Sequence, residues 1–139
     1  GISLSGIEGS TRATVGIVRS LYENAPETTQ PRLARLGAIT EEAIEGLRTR
    51  DIEGLGARMT EAHGLLGELG VSIPKLDALV MAALDAGAVG GKLTGGGGGG
   101  CVIALAQSGE DARRIEDAMD AAGAHAAWTP APLAREVVA

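Results

Sequence analysis

Phenylalanine is absent from this 139-residue chain, and Trp and Tyr occur once each. A core must therefore be packed from Leu, Val, Ile, Ala and Met. Cysteine also occurs once, which excludes an internal disulfide framework and fits a reducing cytoplasm. The two His are far apart and no Cys/His cluster exists, so a zinc site is not expected. Basic residues are in deficit: the formal net charge is −6, which argues against nucleic acid or an anionic membrane as partner. No apolar stretch approaches the roughly 18 residues of a membrane span, and no charged-plus-apolar leader opens the chain. These absences lead us to expect one soluble cytoplasmic domain over residues 1–139, long enough to bury a core.

Glycine, by contrast, is abundant, and six residues run together from Gly95 to Gly100. Fixing a glycine costs more backbone entropy than fixing any other residue, so such a run either stays mobile as a linker or is ordered for use. The flanks decide for use. No Ser is interleaved, and strand-like apolar segments stand on both sides: Ala88, Val89 and Leu93 before, Cys101 to Ala106 after. The phosphate-loop pattern G-x-x-x-x-G-K-[ST] fails here, because Ala86 stands six before Lys92 and Leu93 follows it. The dinucleotide pattern G-x-G-x-x-G fits any run of six glycines and carries no information. Both motifs also lead into a helix, whereas this run leads into a short, partly β-branched segment. The local expectation is strand–glycine–strand, without the helix dipole of a self-sufficient phosphate cradle.

The rest reads as helices and short strands. Ile2 and Leu4 alternate in a strand at Gly1 to Leu4. Ser10 or Thr11 caps a helix to about Asn24, with Val15, Val18 and Tyr22 on one face. Pro26 and Pro31 bracket a break. A second helix, from about Arg32 to Arg50, is expected to bury Leu33, Leu36, Ala43, Ile44 and Leu47. Asp51 caps a third, whose stripe Ile52, Leu55, Met59, Ala62, Leu66, Leu69 keeps helical spacing to a Gly70 stop. Pro74 opens a fourth, with Leu76, Leu79, Val80 and Ala83 inward and Gly87 as its stop. A fifth spans Glu110 to Ala122, a strand covers Ala124 to Pro130, and another is expected at Glu136 to Val138. The count gives an α+β domain with an antiparallel sheet of about four strands covered on one face. Cys101, opening an apolar strand, reads as a buried structural thiol. His63, beside the third helix's stripe, and His125 read first as structural.

From Gly87-Ala88-Val89-Gly90-Gly91-Lys92-Leu93-Thr94 through the glycines to Cys101, the chain resembles the third sequence motif of the GHMP kinase superfamily, in the form found in its mevalonate kinases. Leu65 to Asp77 is similar to the segment preceding that motif, and Gly6-Ile7-Glu8-Gly9-Ser10-Thr11-Arg12 to an earlier block. The family usually has Ala where Gly91 and Gly96 stand, and commonly Lys where Arg12 stands. Gly96 thus removes a methyl from the part of the loop that faces the substrate.

The resemblance implies a ferredoxin-like C-terminal domain, with the phosphate loop, metal ligand and catalytic Asp and Lys in an N-terminal ATP-binding domain absent from this chain. It implies no catalytic residue and no metal ligand here, and an isolated chain that is inactive. The complete enzyme would use ATP and Mg²⁺ to phosphorylate the primary hydroxyl of mevalonate. Lys92, Thr94, Gly95, Gly96, Gly97, Gly98 and Gly99 would lie near the nucleotide phosphates, and Met59, His63 and Gly96 on the substrate side. The implied partners are the N-terminal kinase domain, ATP and mevalonate, with a homodimer open. Related kinases of phosphomevalonate, homoserine or galactose, a decarboxylase that consumes ATP, and a non-enzymatic binding or dimerisation module are the alternatives.

Overall fold

A computed structural model describes residues 1–131. The elements run β1 (Ile2–Leu4), α1 (Thr11–Asn24), α2 (Pro26–Thr49), α3 (Ile52–Glu68), α4 (Pro74–Asp85), β2 (Gly90–Thr94), β3 (Cys101–Leu105), α5 (Gly109–Ala121) and β4 (Ala126–Trp128). The strands form one antiparallel sheet in the order β2-β3-β1-β4. Five helices and four antiparallel strands make it the α+β domain expected. The strand anticipated at Glu136 to Val138 lies outside the described residues.

Local chemistry places most boundaries. Ser10, Asp51 and Ser108 each accept a backbone N–H from the first turn of α1, α3 and α5, satisfying a donor that has no partner within the helix. α3 and α4 both end in the double bond of a Schellman turn: Val71 N–H reaches Leu66 O at 2.9 Å, and Ala88 N–H reaches Ala83 O at 3.0 Å. Gly70 and Gly87 supply the left-handed residue in each.

The sheet's inner face meets α4 and α5. Leu76, Leu79, Val80, Leu93, Val102, Ile115 and Met119 are fully buried there, each stabilising the fold by roughly 1.5–3 kcal/mol relative to exposure. α3 instead lies along the free edge of β2. The two backbones approach so closely at Gly56 and Gly90 that a Cβ on either would collide with the other strand or helix. α2 packs outside α3, stitched to it by Arg35 and Arg58 bridging Glu42 and Glu61 at 2.6–2.9 Å.

Three expectations are corrected. Pro26 and Pro31 do not bracket a break, because Pro26 is the first residue of α2 and Pro31 lies inside it. The chain bends at Ala25 (φ −144°, ψ 62°), and both Pro31 and Glu27, whose carbonyl Pro31 cannot serve, are exposed residues. Leu33, Ile44 and Leu47 are not buried: they stand exposed, and Ile39 is the buried residue of α2. No element among the described residues covers that row, which periodicity alone had assigned to a core. Cys101 is half-buried rather than buried, since its side chain falls on the sheet face turned away from α4 and α5.

Candidate functional site

The glycine run is the hairpin loop between β2 and β3, whose register closes at Thr94 opposite Cys101. All of its residues except Gly96 have positive φ, which explains why no other residue type fills it. The loop is held on two sides. Gly98 N–H donates to Val71 O at 2.8 Å, just past the C-terminus of α3. Gly100 N–H donates to Ile7 O at 2.9 Å, and Ser5 N–H to Gly100 O at 2.8 Å, tying the far side to the segment after β1. At Gly97 (φ +79°) a Cβ would run into Val71.

The third support is the start of α1. Thr14 Oγ1 donates to Gly96 O at 2.6 Å, across 82 residues of sequence, and Thr14 is buried. A Cβ on Gly96 would collide with Thr11, the first residue of α1. The start of the helix thus occupies the space that a methyl at Gly96 would need. The absent helix dipole is thereby corrected: α1 brings its positive end against the bend from a distant part of the chain. A local reading of strand–glycine–strand had no means of finding it. Arg12 stands in that first turn, and no acidic residue does.

β2 carries Lys92 and Thr94 toward the bend. Thr94 is its last residue, half-buried, beside Cys101 on β3. The Lys92 ammonium turns back, donating to Leu93 O at 2.7 Å, and lines a 290 Å³ cavity between α2 and α3 with Leu36, Ile39, Met59 and Leu66. Burial among these apolar groups lowers its pKa.

His63 is buried where α3 meets the free edge of β2. Its Nδ1 accepts from Leu93 N–H at 3.2 Å, and its Nε2 lies 3.0 Å from Asp77 Oδ1. Burial pushes its pKa below the ordinary value, against the opposing pull of Asp77.

The expected residues are thus divided. Gly95 to Gly99 and Thr94 gather at the bend. Met59 shares its cavity with Lys92. Gly96 borders a separate apolar cavity of 420 Å³ with Val15, Val18, Tyr22, Leu33 and Val71, so Met59, His63 and Gly96 do not converge on one pocket. The sequence reading gave no part to Thr14, Val71, Thr60 or Asp77, which hold the bend and its strand. Among the described residues no group of three His, Cys, Asp or Glu is placed to hold a metal ion, and no helix is long and apolar enough to cross a membrane.

Residues 43–125 match the family described as GHMP kinases C terminal. The mevalonate kinase of Pyrococcus horikoshii is 42% identical over 127 residues, covering 88% of this chain and 37% of that protein. The mevalonate kinase of Thermococcus onnurineus is 46% identical over 111 residues, covering 76% and 33% respectively. Among solved structures, L. major mevalonate kinase in complex with R-mevalonate superposes with a TM-score of 0.83 at 30% identity, over 86% of this chain and 37% of that one. The chain therefore spans about a third of the length of the relatives it matches.

Proposed function

The chain belongs to the GHMP kinase family, of which it is a C-terminal domain, and on that premise we propose that it forms one wall of the active site of an ATP-dependent mevalonate kinase. The observation that carries this reading is the ordered glycine bend with the start of α1 set against it. Phosphoryl transfer is mostly positioning and charge stabilisation. A helix N-terminus beside a loop of glycines lets an anion approach backbone amides that side chains would otherwise cover. The residues present fit that share of the work: Thr11 and Arg12 at the positive end of α1, Gly95 to Gly99 as the bend, and Thr94 at its margin.

They do not fit the remainder. No acidic cluster among the described residues holds Mg²⁺, so no step is assigned to a metal on this domain. The base or orienting group for the accepting hydroxyl is likewise assigned to an N-terminal domain that supplies the other wall. Docking of that domain would cover apolar side chains now exposed on α1 and α2. A single Cys suits a reducing cytoplasmic setting for the assembled enzyme.

The test is to assay the 139 residues alone and mixed with the N-terminal domain of a full-length relative, using ATP–Mg²⁺ and mevalonate. Turnover only on mixing is expected. Turnover by the chain alone would refute the division of labour. Saturable nucleotide binding without the second domain would favour an independent binding module. Faster turnover of phosphomevalonate, homoserine or galactose would move the assignment within the family.

A further inference from the structure

β2 is an edge strand, paired with β3 on one side only. An edge exposes unpaired amides, and here side chains of α3 capture them. Gly91 N–H donates to Thr60 Oγ1 at 3.3 Å, and Leu93 N–H donates to His63 Nδ1 at 3.2 Å. An imidazole nitrogen that accepts carries no proton, so the proton of neutral His63 must sit on Nε2. That nitrogen lies 3.0 Å from Asp77 Oδ1, to which it donates, and Ser72 Oγ donates to the same oxygen at 2.5 Å. Every group in the chain from Ser72 to Leu93 has a matching partner in one protonation state alone.

We infer that His63 is a positioning residue, a proton-controlled latch that holds β2, and with it the margin of the glycine bend, only while its imidazole is neutral. Protonating Nδ1 fills the lone pair that receives Leu93 N–H, and sets two donors against each other. β2 stays paired to β3 through Leu93 opposite Val102, so the loss is confined to its outer edge and to Thr94 and Gly95 beyond it. The groups acting on the ring are Asp77 from the first turn of α4, which Ser72 of the preceding loop also bonds, and Lys92 and Leu93 from β2. Asp77 favours the charged ring. Burial and the Lys92 charge oppose it and hold the latch closed near neutral pH. The inference does not depend on which reaction the assembled protein catalyses.

Amide exchange and imidazole ¹⁵N spectra of the 139-residue chain test it directly. The spectra should give the Nε2–H tautomer at pH 8. The protection factor of Leu93 should fall about tenfold or more as His63 is titrated, with Thr94 and Gly95 following and Val102 and Met119 falling by less. His63→Gln, whose carbonyl can still accept, should keep Leu93 protected and abolish the pH dependence. His63→Ala should lose the protection at every pH. Asp77→Asn, a milder change, should move the loss of protection to lower pH because the charge favouring the imidazolium is gone. An Nδ1–H tautomer would overturn the inference. So would Leu93 protection that ignores the titration of His63, or an Asp77→Asn variant whose profile matches the wild type.

Discussion

Two apolar layers of this molecule have similar helical spacing and opposite fates. Leu76, Leu79, Val80 and Ala83 of α4 lie on the sheet with no exposure above 2%. Val15 and Tyr22 of α1, with Leu33, Ile44 and Leu47 of α2, stand 38–64% exposed. Spacing records which residues share a face of a helix; it does not record whether anything is there to cover it. The inner layer is finished within this chain. The outer one is covered by no element among the described residues.

Substitutions should separate the two layers sharply. Leu79→Ala removes a fully buried side chain and should lower the unfolding free energy by about 2–5 kcal/mol in urea titration. Gly97→Ala comes next, at about 1–3 kcal/mol, since it forces a left-handed residue and pushes a methyl into Val71. The isolated chain should also lose ordered amide exchange around the bend. A control with Gly64→Ala, on α3 with open space around it, should be stabilising by about 0.4–1 kcal/mol.

The pH dependence has a definite sign. The folded pKa of His63 is depressed, so the unfolded chain binds its proton more readily. This contribution to stability is fully present above the ordinary value of 6.5 and is lost as pH falls below it through the folded pKa. Thermal melts between pH 8 and 5 should register the loss, and His63→Gln should flatten it. The smallest effect belongs to the outer layer. Leu47→Ala, at a residue 64% exposed, should change stability by no more than about 0.5 kcal/mol. A cost near that of Leu79→Ala, growing with protein concentration, would mean that a second copy covers this face in solution.

Much of the fold was legible from short range. Ser10, Asp51, Gly70 and Gly87 place their helix ends through bonds that span a handful of residues, Pro74 does so through its fixed φ at the first turn, and the structure keeps each. The order of the glycine bend was legible too, from apolar segments on both sides of it. Pro31 was misread because a proline's cost depends on whether the orphaned carbonyl meets water, which local sequence does not state. His63 was read first as structural, but its partners Leu93 and Asp77 could not be named, since they lie on other elements.

The amino-acid order alone determined where most helices start and stop, that six glycines would form a turn between two strands, and which side chains were apolar enough for a core. Those outcomes depend on backbone sterics and on bonds a few residues long. Only the tertiary structure decided that α1 presses its positive end on the bend, that α3 latches the edge of β2, and which apolar face stays open. Each of these joins residues tens of positions apart, and such contacts exist only after the chain has closed on itself.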